Sequence, residues 1–435
     1  MDRVHTEGAG AQASMVAGAG PSAAVPGAMP HAVRWLGHPS EVEAADWDAL
    51  LEGVDGASPF LTHALLSAFI DSGSACADTG WQPHLLALRD AAGRLVGACP
   101  TFIKSHSYGE YVFDWAWADA HDRALGPQGR HYFPKLLGAV PFSPIPGTRL
   151  LTHPGLSEAA RIAVQQALLT ALRGACEAHG WSSAHLLFLS EAEAEVAADA
   201  GWLVRQGIQF HWRNRQPQPY ADFEDFLACL QRDKRKKIQQ ERRKVRDAGV
   251  SFEVRVGAEI SERDWDLFHR CYTQTYLEHG QRPYLSHGFW RQAARDLPHA
   301  WVLFIAHHEG RPIACSLLAI DPVARVAHGR YWGALASVSC LHFEACYYQP
   351  LAWCIAHGYL RFEGGAQGEH KLARGLLPEP TRSVHWLGHP GLREAVADFL
   401  RRESLGIRHH VSELDERRPF KPGVDDPDGG ARMSE

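Results

Sequence analysis

The apolar positions of this chain fall into two stretches with the same grammar. In the first, Trp35, Leu36, Val42, Trp47, Leu50 and Leu51 predict a strand leading into an amphipathic helix. Thr62 stands where it can cap a second helix, whose apolar face is Leu65, Leu66, Phe69 and Ile70. His84 to Arg89, a turn at Asp90 to Gly93, and Leu95 to Lys104 predict a hairpin. Tyr111 to Trp117 reads as an aromatic-rich strand, with the acids Glu110, Asp114 and Asp119 set among the rings. Pro141, Pro144 and Pro146 stiffen a later connection. Glu158 to His179 predicts a helix, and Ser183 to Leu189 a buried strand. The second stretch repeats the order. Trp301 to His308, a turn at Glu309 and Gly310, and Pro312 to Ile320 form a hairpin. His328 to Gly333 is the aromatic strand, Phe343 to His357 the helix, and Tyr359 to Phe362 the strand after it. Two copies of one α/β unit follow, alike in pattern rather than in residues.

The last of these strands breaks into glycine. Gly364, Gly365 and Gly368 permit conformations and close approaches that a Cβ resists. Glu363, Glu369, His370, Lys371, Arg374, Thr381, Ser383 and His385 crowd the same region. A solvated turn would account for the charges alone. Three glycines beside so many ionisable groups point instead to a functional loop. Transfer of a group to an amine requires the amine deprotonated and the tetrahedral oxyanion held. The glycine loop offers backbone N–H groups for the second task. Glu369, His370 and His385 can accept a proton, and Glu369 and His370 are the favoured acid/base residues. Lys371 and Arg374 suit a donor phosphate or a substrate carboxylate. Other chemistries find no support: there is no Walker loop, no GxGxxG after a first strand, no GxSxG elbow and no HExxH.

At 435 residues the chain has room for two or more domains. Its 45% hydrophobic and 22% charged content are ordinary for a soluble globular protein. The net charge of -6 argues against a general nucleic-acid binder. The run Arg232 to Arg246 is a local exception. It predicts a basic helix, either a solvated face or a clamp for a polyanion or a phosphate-bearing donor. The nine cysteines are scattered without a CxxC pair, which implies reduced thiols and a cytoplasmic protein. Cys340, His342, Cys346, Cys354 and His357 match no zinc spacing and read as part of a core helix, so no metal is expected. No apolar run approaches the roughly 20 residues of a membrane span. Residues 1–30 read as an Ala/Gly/Pro tail without a secretory pattern, and the charged end of the chain as a second tail.

Several phrases together resemble the FemAB-like bacterial family, whose members are described as peptidoglycan biosynthesis/recognition proteins or N-acyltransferases. They are Ser58-Pro-Phe-Leu, Gly109-Glu-Tyr-Val-Phe-Asp-Trp-Ala-Trp-Ala-Asp, Tyr132-Phe-Pro-Lys-Leu, Val140-Pro-Phe-Ser-Pro-Ile-Pro-Gly-Thr-Arg-Leu-Leu, Lys234-Arg-Lys-Lys-Ile-Gln-Gln-Glu-Arg-Arg-Lys-Val, Arg282-Pro-Tyr-Leu and Gln367-Gly-Glu-His-Lys-Leu-Ala-Arg-Gly-Leu-Leu-Pro. The resemblance spans roughly residues 32 to 412. It implies an α/β (α+β) fold: a tandem pair of GNAT-like domains, each a mixed sheet flanked by helices, at 31–215 and 216–412, with a charged tail at 413–435. It implies transfer of an acyl or aminoacyl group to an amine. Fem-type relatives draw on charged tRNA, which the basic helix 232–246 would hold, and typical GNAT enzymes use acetyl-CoA. The usual GNAT pyrophosphate signature is not clean here, so acyl-CoA and aminoacyl-tRNA both stand as donors. The resemblance places Asp114, Trp115, Asp119, Arg149, Arg282, Tyr284 and the Glu369 to Arg374 cluster in the cleft; the glycine stretch itself adds Gly365, Gly368 and His385 as substrate- or donor-binding residues. The alternative is a non-catalytic module on the same scaffold that binds peptidoglycan precursors or an acidic partner.

Overall fold

The computed structural model describes residues 32–54, 59–365 and 368–422. The expected tail at 1–30 lies outside them, as do Ser58, Gln367 and the tail beyond Pro422. The first half of the chain supplies strands β1 (Ala32–Leu36), β2 (Trp81–Pro83), β3 (Leu85–Arg89), β4 (Leu95–Cys99), β5 (Thr101–Lys104), β6 (Lys135–Gly138), β7 (Leu151–Thr152), β8 (Ser183–Leu189) and β9 (Leu203–Arg213). The second supplies β10 (Val250–Val256), β11 (Trp301–His308), β12 (Arg311–Asp321), β13 (Val326–Ala334), β14 (Arg361–Glu363) and β15 (Leu377–Leu387). They form a four-stranded sheet, β1-β3-β4-β7, and an eleven-stranded sheet, β10-β11-β12-β13-β14-β9-β15-β8-β6-β5-β2.

The expected strand Leu95 to Lys104 is two strands. Pro100 has no N–H to give to a ladder. Before it, β4 pairs with β3 and β7; after it, β5 pairs with β2 and β6 in the other sheet. The expected aromatic strand Tyr111 to Trp117 is not a strand. Gly109 and Tyr111 take positive φ, 81° and 63°, and turn the chain. A helix, Trp115–Leu125, follows. Its buried residues Trp117, Ala118, His121 and Leu125 recur at the three- and four-residue spacing of a helix.

The second half is an antiparallel meander, β10 to β13, with β14 laid parallel to β13. The crossover is a continuous helix over 341–356 with a π turn at Glu344–Tyr348. In the first half β6 and β8 are parallel, joined across the helix Glu158–His179, which Ser157 caps. Each half is thus GNAT-like, a mixed strand set flanked by helices. Their last strands are exchanged: β9 pairs with β14, β15 pairs with β8, and β9 and β15 pair with each other. Buried ionisable residues face each other at both exchanges, His385 opposite His185 and His211 opposite Glu363.

The basic helix forms as Arg232–Asp247, seated on Ile238, Glu241 and Val245. The last helix, Pro390–Glu416, passes the expected boundary at 412. Leu414 and Phe420 are buried in the second-half core, so the residues just after 412 are folded structure rather than tail. Among the described residues, no helix is long and apolar enough to cross a membrane.

Candidate active site

The parallel pairing of β13 and β14 stops at His328 opposite Glu363. β13 continues to Ala334, while its neighbour turns into Gly364 and Gly365. The strands therefore part, and the gap between them is the candidate site. The glycines are needed at this fork. The Gly364 N–H donates to the Phe210 carbonyl on β9 at 2.9 Å, and the Phe210 N–H donates to the Gly365 carbonyl at 3.1 Å. A Cβ on Gly364 would stand 2.9 Å from that Phe210 oxygen, and Gly365 sits at φ +84°. A side chain at either position would move the loop off β9.

Two buried cations line the fork. The Lys371 Nζ donates to the Gly365 carbonyl at 3.3 Å. Burial and the nearby Arg330 guanidinium hold its ammonium down to about 8. A Cβ on Gly365 would lie 3.1 Å from Arg330 Nη1, so Arg330 reaches the same loop. Glu363 anchors the base of the fork, fully buried. It pairs with His328 Nδ1 at 2.9 Å, Arg361 Nε at 3.2 Å and Arg330 Nη2 at 3.6 Å. Burial pushes its carboxyl up, but His328, His211 and Arg361 outweigh that and hold it well below the usual carboxylate range. Burial also pushes the imidazole of His211, opposite it on β9, down to about 4. The Glu363 charge is thus built in, and it fixes Arg330 as a cation in the gap.

An aromatic cluster adjoins the fork, built from both halves. Tyr331 on β13 meets the Ser143 hydroxyl at 3.1 Å. Tyr284 stacks on Phe142 with ring centroids 4.9 Å apart and meets Tyr276 edge-on at 5.6 Å. The phenol of Tyr111, held up chiefly by burial, also feels Tyr276, Tyr331, Tyr284 and Arg330.

Of the residues singled out from sequence, Gly365 and Lys371 lie at the fork and Tyr284 in the aromatic cluster beside it. Gly368, at φ +98°, packs under the His370 ring. His370 lies at the outer edge, its Nε2 3.2 Å from the Tyr347 hydroxyl. Burial, Arg374 and Lys371 lower its basicity. Glu369 does not join them: its carboxylate is half exposed and pairs with Arg417 at 3.0 Å. Arg374 is a clamp, bound to Glu241 of the basic helix at 2.8 Å and stacked 3.6 Å over the Phe343 ring. Arg149 is buried under the proline loop and donates to the Thr148 carbonyl at 2.6 Å. Asp119 and Arg282 are exposed, and Trp115 is near the surface against Tyr108.

Asp114 and His385 belong to a second buried cluster, in the first half. Lys135 Nζ lies 2.5 Å from Asp114 and 2.8 Å from Glu110. The Tyr132 hydroxyl donates to Asp114 at 2.7 Å, and His185 Nδ1 meets His385 Nδ1 at 2.7 Å. Burial, then His185, holds His385 well below the ordinary histidine range. Sequence reasoning left out Arg330, Tyr331, His328 and His211 as site residues, and named Glu363 in the region without giving it a role. The phrase His328-Gly-Arg-Tyr-Trp-Gly was a signal for three of them, and Glu363 stands at the head of the glycine stretch. Nothing local marks His211. Among the described residues, no group of three or more His, Cys, Asp or Glu could hold a metal ion.

Among curated proteins, none matches this chain. Its fold is similar to the C-terminal domain of a putative lysylphosphatidylglycerol synthetase from Agrobacterium fabrum, at TM-score 0.51 and 12% identity over 83% of this chain and 96% of that one. L-PGS from Bacillus licheniformis aligns at TM-score 0.49 and 10% identity, over 82% and 97% of the two chains. A tandem GNAT protein from the clavulanic acid biosynthesis pathway aligns at TM-score 0.40 and 12% identity, over 83% and 99%. The FemAB-like family, described as peptidoglycan biosynthesis/recognition, is matched over residues 38–422. Since that match takes in both halves and the strands they exchange, the chain belongs to the FemAB-like family.

Proposed function

We propose that this chain is a cytoplasmic N-acyltransferase that moves an acyl or aminoacyl group from an activated donor to an amine at the β13/β14 fork. The observation that carries the reading is the placement of two buried cations beside Gly365: Lys371 bonded to its carbonyl, and Arg330 held on the Gly329 and Pro144 carbonyls with its guanidinium next to the Gly365 backbone. Such an arrangement suits the carbonyl of a donor and the oxyanion formed from it. The amine nitrogen attacks the carbonyl carbon, and the bond to the donor's oxygen or sulfur breaks. His370, shifted toward its neutral form, accepts the amine proton and can return it to the leaving group. The acceptor lies on the side of the fork bordered by Tyr111, Tyr276, Tyr284 and Tyr331. The basic helix is tied beside the fork by Arg374–Glu241 and by Arg242–Glu344 at 3.2 Å, which supports a phosphate-bearing donor, acyl-CoA or aminoacyl-tRNA. All nine cysteines are free thiols, which suits the cytoplasm.

The test is the melting temperature against acetyl-CoA, longer acyl-CoAs, charged and uncharged tRNA, and peptidoglycan precursors. A donor that binds the folded state raises it by mass action. A shift with acyl-CoA or with charged tRNA, lost in Lys371→Met, supports the site. A shift with precursor alone, and no turnover with any donor, favours a binding module.

A further inference from the structure

Between Tyr108 and Trp115 the chain reverses the usual sorting of side chains. Water favours acids outside and rings inside. Here Glu110 and Asp114 are buried at 3% and 4% exposure, while Tyr108, Phe113 and Trp115 stand out at 56%, 50% and 37%. Those three are the only exposed Phe, Tyr or Trp side chains among the described residues. The loop is not frayed. Lys135 grips both acids, at 2.8 and 2.5 Å. Arg205 donates to the Phe113 carbonyl at 2.7 Å and is itself held by Glu403 at 2.7 Å. Tyr111 turns inward, so the outward rings are fixed in place. A segment that gives up stability to display aromatics marks an interaction surface.

We propose that Tyr108, Phe113 and Trp115 dock this protein on the surface of a lipid bilayer that carries anionic headgroups. Tyr and Trp suit the headgroup level, where the ring is sheltered and the polar tip stays wet, and Phe113 suits the layer beneath. A saccharide platform would need free polar side chains beside the rings. Glu110 and Asp114, the polar side chains at the loop's base, are turned inward onto Lys135. Their burial takes two charges that would repel an anionic surface off the loop, while Asp119, one helical turn after Trp115, stays exposed. Cations flank the patch as well. Arg282 is exposed two residues before Tyr284, whose phenol lies within electrostatic reach of Tyr108. On the other side the Glu403–Arg205 bridge joins the loop to a groove of about 530 Å³ along the last helix. Leu203, Val204, Leu400 and Leu405 give that groove an apolar floor, and Arg408 and Arg401 rim it, Arg401 in an ion pair with Asp398. Without a spanning helix among the described residues, the attachment is peripheral. The proposal stands whether or not acyl transfer is the reaction.

The experiment is sedimentation of the full chain with phosphatidylcholine vesicles, with and without phosphatidylglycerol. The expected result is binding to the anionic vesicles that weakens with salt. Combined Tyr108→Ser, Phe113→Ser and Trp115→Ser should weaken it by about tenfold or more, in proportion to the apolar area lost. The side chains are exposed, so the melting temperature of the variant should match that of the parent. Val323→Ser, at 93% exposure on another turn, should leave binding unchanged. No sedimentation with either vesicle, or equal sedimentation of the triple variant, overturns the proposal. So does a triple variant that keeps vesicle binding but loses affinity for a soluble peptidoglycan disaccharide, which would make the patch a saccharide platform.

Discussion

Burial and Arg330 hold the Lys371 ammonium down to about 8, so its charge is lost within an ordinary assay range. If that charge steadies the oxyanion, turnover falls as pH rises through about 8. Lys371→Met should lower kcat by about a hundredfold or more. Lys371→Arg keeps a charge that does not titrate and should move the alkaline limb upward. An unchanged limb in the arginine variant would assign the fall to another group. His370 gives a second residue-scale expectation. Its removal to alanine should cost about a hundredfold in kcat, while Glu369→Gln, at a half-exposed ion pair, should cost less than about tenfold. The opposite order in steady-state kinetics would move the proton acceptor to Glu369. Sequence reading reached this region because glycines and ionisable groups cluster there along the chain. It could not rank them, since exposure separates Glu369 from Lys371 and no spacing rule records it. Glu363, His328, His211 and Arg330 come from three strands, and only pairing brings them together.

Elements with a strong period were legible: the helix Glu158–His179 and the basic helix lie where the pattern puts them. The helix Trp115–Leu125 was not, because its aromatic start has the composition of a strand and its period shows only once Tyr111 is seen to turn the chain. The strand break at Pro100 was written in the sequence, but the sheet each part would join was not. Contact between elements is where a substitution tells most. At Gly333, β13 passes under the helix Glu262–Glu278, and a Cβ there would stand 1.8 Å from the Cys271 carbonyl oxygen. That obstacle is backbone and cannot swing away. Gly333→Ala must lift the helix that carries Tyr272 and Tyr276 into the aromatic cluster, at a cost of about 2 kcal/mol or more. The measurement is thermal unfolding beside turnover, and both should drop. A melting temperature within about one degree of the parent would show that the helix is not seated this closely.

At the scale of the molecule, the repeat was legible as a pattern, but the exchange of last strands was not, because alternation along a strand does not name its partner. The exchange makes the halves interdependent. β9 from the first half runs between β14 and β15, in register from His211 opposite Leu377 to Leu203 opposite His385. A fragment of residues 216–422 would lose the strand that fills its sheet. A fragment of 32–215 would leave β9 without partners on either side and β8 without β15. Each alone should therefore show no cooperative melting transition, and producing the two together should restore one, read by calorimetry and by co-purification. A cooperatively melting 32–215 would make the halves independent domains. The exchange also reaches the chemistry. Both backbone bonds that pin Gly364 and Gly365 go to Phe210, and the histidine facing Glu363 is His211, both on β9. A second half that somehow folded alone would lack the floor of its own site, so activity should return only with the first half present.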